Sequence, residues 1–127
     1  MDSLQSLTKK NATCQDLLSC LYNLKPTDIE VLLTVAKNEE ATLDEIAEKV
    51  QRDRSSIHRI LSKLLTANLV IRQTKTIKSG GYYHTYTMLE PALIKTHAKE
   101  RVKEITKSLE LRIDSFEADL KRHLENK

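Results

Sequence analysis

Glycine and proline are scarce, with two of each in 127 residues, and the aromatics number only five, four Tyr and one Phe with no Trp. So few breakers and ring side chains argue against a sheet-rich or disordered chain, and abundant Leu, Lys, Glu and Ile argue for a mainly helical one. Long apolar runs are missing, which excludes a membrane span and predicts no membrane partner. Met1 to Lys10 lacks the apolar stretch of a signal peptide, so a cytoplasmic location is expected, with its two Cys reduced. On one helix Cys14 and Cys20 would point about 240° apart with Cα atoms about 9 Å from each other, beyond disulfide reach. No CxxC or HxxxH spacing suggests a metal, and both read as small buried hydrophobes. Phosphate-binding glycine loops, GxSxG and HExxH are missing too, so neither an enzyme nor a cofactor is expected.

What is present is a core-sized fraction of hydrophobic residues, 39%, and an uneven charge distribution. The net charge is +3, but residues 54–89 carry six Lys or Arg and no acid, while the remaining 91 residues hold 15 basic and 18 acidic side chains. One segment is suited to an anionic surface.

Met1 to Lys10 has no clear period and is expected to be a flexible N-terminus, preceding a domain over 11–89. From Asn11 to Asn23, Cys14, Leu17, Leu18 and Leu21 share a helical face. Pro26 ends that helix, and Thr27 with Glu30 suggests a capping box opening a second, which carries Ile29, Leu32, Leu33 and Val35 inward. Thr42 with Glu45 repeats the signature before a two-turn helix burying Leu43, Ile46, Ala47 and Val50. After the turn Gln51-Arg52-Asp53, Asp53 caps a fourth helix to about Ala67, closed by Asn68. Its apolar stripe is Ile57, Ile60, Leu61 and Leu64; Ser55, Arg59, Ser62 and Thr66 lie opposite.

Leu69–Ile77 and Tyr82–Leu89 are rich in β-formers and flank Lys78-Ser-Gly-Gly, a β-hairpin with a glycine tip. Glu90 and Pro91 open a long helix over 90–127. Its apolar residues Val102, Ile105, Leu109, Ile113, Phe116, Leu120 and Leu124 repeat every eleven residues, which predicts nearly straight or slightly right-handed packing. Such a helix would be about 50 Å long against a body about 30 Å across, so the stripe would overhang, and a homodimer built on these seven residues is expected.

The fold class predicted is mainly α with a small hairpin wing: a winged helix-turn-helix followed by a dimerisation helix. A helix entering the major groove needs short or hydrogen-bonding side chains at its start, and Ser55, Ser56, His58, Arg59 and Ser62 meet that need. Arg59 suits a bidentate contact with guanine. Arg54 and Lys63 on the same helix, and Arg72, Lys75 and Lys78 on the hairpin, are expected on the DNA as well, the hairpin residues on the flanking backbone or minor groove. His58 reads equally as a solvated residue. Of Tyr82, Tyr83 and Tyr86 at least one should pack on the core, and His97 and His123 read as surface or interface residues.

The stretch Thr42-Leu-Asp-Glu-Ile-Ala-Glu-Lys-Val-Gln-Arg-Asp-Arg-Ser-Ser-Ile-His-Arg-Ile-Leu, followed by Leu64-Leu-Thr-Ala-Asn-Leu-Val, resembles winged-helix regulators of the MarR and TrmB-like families. The likeness spans about Pro26 to Leu89, with Ala47 at the helix crossing, Ile57 in the recognition helix and Asn68-Leu-Val leading to the wing. Gln51 stands where Gly is usual, and Arg52 where an apolar residue is usual. The resemblance implies a dimeric transcriptional regulator of double-stranded DNA. Sugar sensing belongs to a further C-terminal domain of full-length TrmB-like proteins and is not implied; no small-molecule effector is identified. Two alternatives stand beside a sequence-specific regulator: a DNA-architectural protein with little base reading, and a winged-helix module binding an acidic protein.

Overall fold

The computed structural model describes residues 4–126. Leu4–Thr8 form a 3-10 helix with no buried residue, a local order that the aperiodic sequence there did not predict. Two compact units follow from the packing, one ending at Ile94 and the other beginning at Lys95. Ile94 packs against the core of the first unit.

The first unit holds α1 (Cys14–Tyr22), α2 (Pro26–Lys37), α3 (Leu43–Val50) and α4 (Arg54–Thr66), then strands β1 (Val70–Thr76) and β2 (Tyr82–Met88). Thr13 caps α1 through a capping box with Asp16, and Asn23 closes it in the left-handed conformation. On the predicted face Leu21 is buried, but Leu17 and Cys14 are exposed. The capping box expected at Thr27 and Glu30 is not what starts α2. The N-cap lies two residues earlier, at Lys25, whose backbone N–H donates to Asp28 Oδ2 at 2.8 Å. Pro26 occupies the first turn, where a missing N–H costs nothing. Thr42 and Glu45 do form the predicted box on α3.

The core joins one side of each helix: Val31, Leu32 and Val35 of α2, Ile46 of α3, and Ile57, Leu61 and Leu64 of α4 are almost completely excluded from solvent. Full burial of such a side chain contributes about 1.5 to 3 kcal/mol, so these three faces dominate the stability of the unit. Leu33, Leu43 and Ile60 pack only at its margin. Gln51, at φ 60° and ψ 49°, ends α3 in the left-handed region that Gly enters more readily.

β1 and β2 pair antiparallel from Val70 opposite Met88 to Thr76 opposite Tyr82. Gly80 and Gly81 have φ of 104° and 88°, which gives the tip its reversal. A third partner escapes sequence periodicity: Ala41, immediately before α3, accepts the Tyr86 N–H at 2.8 Å in an isolated bridge. This bond and the buried Tyr86 ring tie the hairpin to the helices.

In the second unit helix α5, which starts at Pro91 in the first and runs to Asp114, continues toward α6 (Phe116–Glu125). The single helix expected here is interrupted at Ser115, whose hydroxyl bonds back to the carbonyls of Leu111 and Arg112 at 3.2 and 3.4 Å. The backbone ladder nevertheless crosses the junction, with Asp119 N–H on Ser115 O at 3.0 Å. Neither helix has a buried residue. Among the described residues no helix is long and apolar enough to cross a membrane.

Candidate nucleic-acid interface

Burial of Ile57, Leu61 and Leu64 fixes the rotation of α4, so Ser55, His58, Arg59 and Ser62 face solvent. Asp53 organises the start of this face. Its carboxylate accepts the Ser56 N–H at 3.3 Å, the Ser56 hydroxyl at 2.7 Å and the Ser55 hydroxyl. Ser56 Oγ in turn accepts Arg59 Nη2 at 3.3 Å, so the cap reaches through a serine to orient the guanidinium. Ser55 and Ser56 are therefore more than small residues permitting close approach. They anchor the helix start.

The hydroxyls of Ser55 and Ser56 hold the Asp53 carboxyl down from its ordinary 3.8 to about 2. A depressed carboxyl contributes stability above its unfolded pKa and loses it as pH falls through the folded one. The contribution of this cap is thus complete above about pH 4 and vanishes toward pH 2. Asp53→Ala should be less stable at pH 7, and its stability should fall less steeply than that of the parent between pH 4 and 2; urea unfolding across that range measures both.

Charge on the same helix divides into free and engaged residues. Arg54 pairs with Asp44, and Lys75 on the wing pairs with Glu40 at 2.6 Å, which raises the Lys75 ammonium above its usual range. Both pairs are exposed and contribute little, so a phosphate can take either cation. Lys63 is different. Its Nζ lies 2.7 Å from Asp28 Oδ2 and 2.7 Å from the Asn23 carbonyl, joining α4 to the start of α2 and the end of α1. Asp28 is only 5% exposed, and an acceptor buried to that degree holds its cation. Lys63 is thus engaged in the body of the domain. Lys63→Ala should destabilise the fold by about 1 to 3 kcal/mol, read from urea unfolding, and leave the salt dependence of DNA binding unchanged.

On the wing, Arg72 and Lys78 are exposed, and among the described residues neither is paired with a carboxylate. Tyr86 belongs to the core, while Tyr82 and Tyr83 remain at the surface, Tyr82 against the His84 ring. Sequence reasoning missed Lys25 and Arg52, which line one concavity with Ser56 and Arg59. Lys25 offered no periodic signal, and Arg52 was visible only as a charged residue in a place that is usually apolar. Among the described residues no cluster of His, Cys, Asp or Glu is arranged to hold a metal.

Helices α2, α3 and α4, with one apolar side of each buried, and a hairpin docked through Ala41 define a winged-helix domain. Residues 18–92 match the family model described as sugar-specific transcriptional regulator TrmB, and the chain belongs to this family. Members are DNA-binding regulators rather than enzymes. The uncharacterised protein MJ1503 of Methanocaldococcus jannaschii is 32% identical over 116 residues, covering 90% of this chain and 88% of its own. In solved structures, a possible transcriptional regulator from Methanosarcina mazei superimposes with a TM-score of 0.70 at 18% identity, covering 86% of this chain and 95% of that one. Staphylococcus aureus MepR, in a structure of its DNA complex, gives 0.52 at 16% identity, covering 88% and 86%.

Proposed function

We propose that this chain is a sequence-specific, dimeric, cytoplasmic regulator that sets α4 into the major groove and the wing on the flanking backbone or minor groove. The observation that carries this reading is the exposed start of α4: Arg59 oriented through Ser56 and Asp53, with His58 and Ser62 beside it, on a helix whose other side is locked in the core. A solved complex of MepR with DNA supports duplex DNA as the partner. Ser55, Ser56, His58, Arg59 and Ser62 would face base edges. Arg72, Lys78 and, after exchange of their carboxylates, Arg54 and Lys75 would meet phosphates. Selection of bound duplexes from a random pool tests it. An enriched site bound at least 10³-fold more tightly than random duplex is the expected result. A ratio near one would favour the architectural reading, which gains from the engagement of Ser55 and Ser56 with Asp53. Failure to bind any duplex would favour a protein-binding module.

The dimer reading rests on the stripe Val102, Ile105, Leu109, Ile113, Phe116, Leu120 and Leu124, all exposed within the single chain, Ile113 to 71% and Phe116 to 61%. Its charges favour antiparallel pairing. Residues 95–107 hold Lys95, Lys99, Arg101, Lys103 and Lys107 against Glu100 and Glu104; residues 108–119 hold Glu110, Asp114, Glu117 and Asp119 against Arg112. Parallel helices would place each block on its like, whereas reflection about Lys107 places it on its opposite. The same reflection carries Ala98 onto Phe116, Ile105 onto Leu109, and Val102 to within one residue of Ile113.

A further inference from the structure

Between the start of α2 and the start of α4 lies an open concavity of about 390 Å³. Lys25 and Thr27 form one wall, Arg52 of the turn the end, and Ser56 and Arg59 the other wall. The two other charges of its lining, Asp28 and Lys63, neutralise each other at 2.7 Å, and the Lys25 N–H donates to the same Asp28 oxygen at 2.8 Å. Among the described residues, Lys25, Arg52 and Arg59 have no carboxylate partner, so three uncompensated cations surround one depression. Elsewhere in the interface Arg54 and Lys75 are each paired with an acid, and the unpaired Arg72 and Lys78 stand apart on the wing.

Like charges gathered without a counter-charge raise the free energy of the unliganded surface and lower it again when an anion arrives. The lining contains a single large apolar side chain, Ile60, so affinity here comes from charge and hydrogen bonds. The hydroxyls of Thr27 and Ser56 add the polar contacts that a phosphate oxygen takes from a protein. Because Ser56 and Arg59 also belong to the groove-facing side of α4, an occupant of the concavity lies beside the bases that α4 would read. The backbone of a duplex set on α4 would bring phosphates to that edge, and the open mouth admits one that remains part of a strand.

We propose that this concavity is a phosphate seat, in which Lys25 and Arg52, with Thr27 of the first turn of α2, hold one DNA backbone phosphate per protomer at the edge of the groove. The seat rests on the DNA-binding reading above and adds two cations to it. It also gives Arg52 a reason to stand where an apolar residue is usual.

The test is Lys25→Gln with Arg52→Gln in the full chain, measured on the selected duplex and on random duplex across a range of salt. Both residues are exposed, so the fold should survive, and an unchanged unfolding midpoint verifies this. The expected result is a loss of about 0.9 in the salt slope per protomer and weakening of both duplexes by the same factor, as loss of one phosphate contact gives. Lys37→Gln, at the far end of α2, should leave the slope unchanged. An unchanged slope in the double variant, or one lowered equally by Lys37→Gln, overturns the seat while leaving the DNA reading intact. If the parent chain binds no duplex, the DNA reading fails first, and titration of ¹⁵N-labelled protein with inorganic phosphate decides the seat. Amide shifts centred on Thr27, Arg52 and Ser56 and abolished by the double variant would keep it, with a free phosphate group as occupant. No such shifts would overturn it.

Discussion

Leu109→Glu combined with Phe116→Glu should sediment as a monomer at micromolar concentration, with the winged-helix unit still folded. Each substitution replaces an exposed apolar side chain, so the isolated chain loses no core. Within a dimer the same positions lie at the seam. Burying a Leu or Phe contributes about 1.5 to 3 kcal/mol, and two chains lose it twice over at both positions, with carboxylates forced into the seam besides. This exceeds what a micromolar dimer of about 8 kcal/mol can absorb. Operator binding should fall by about 10² or more, because the second half-site is no longer held at high effective concentration. A persisting dimer would move the interface to Cys14–Leu24 or to the winged unit. Point substitution is a cleaner test than truncation after Leu89, which would also remove Ile94 from the core. Direction is read by cross-linking in a chain with Cys14 and Cys20 replaced by Ser. Antiparallel pairing predicts that Ala98→Cys and Phe116→Cys cross-link with each other in mixed dimers and that neither does so alone; parallel pairing predicts the reverse.

Those features whose cause is local were legible in the sequence. Apolar residues at helical spacing gave α2, α3 and α4, because each helix buries one side in the same core, and Thr42 and Asp53 cap where their side chains can reach the helix N–H groups. The hairpin and its tip followed from β-branched residues around two glycines. Contacts between distant residues were not legible. Lys63 reads as a cation on a polar face until α1 and α2 bring Asn23 and Asp28 to it, 40 and 35 residues earlier in the chain. Glu40 meets Lys75 only after the hairpin docks at Ala41, a bond made by backbone groups that no side-chain pattern encodes. The start of α2 was misplaced by two residues because Asp28, rather than Glu30, reaches back to an N–H, and both are acidic residues within one turn. For the candidate interface, the solvent-facing residues of α4 were identifiable from spacing, while the division between free and engaged cations required the fold.

Arg59→Ala should weaken the preferred duplex by about 1 to 3 kcal/mol and relax the choice at one base pair, while random duplex loses much less. The reason lies in its preparation for binding. Arg59 Nη2 already rests on Ser56 Oγ, which is held by Asp53, so less side-chain freedom remains to be lost when the guanidinium meets a base edge. Ser56→Ala should therefore reproduce part of the Arg59→Ala loss on the preferred site, through a guanidinium left unoriented. Lys78→Ala should behave otherwise. It sits exposed in the tip between Ile77 and Gly80, where the Gly80 N–H donates to the Ile77 carbonyl at 2.9 Å, and no side chain fixes its ammonium. An unheld point charge suits a phosphate, so its removal should weaken both duplexes alike and lower the salt slope by about 0.9 per protomer. Measuring the three variants on both duplexes at several salt concentrations separates reading from positioning. Equal losses for Arg59→Ala on the two duplexes, with a reduced slope, would assign Arg59 to the phosphate seat beside Lys25 and Arg52 and leave base reading to His58 and Ser62.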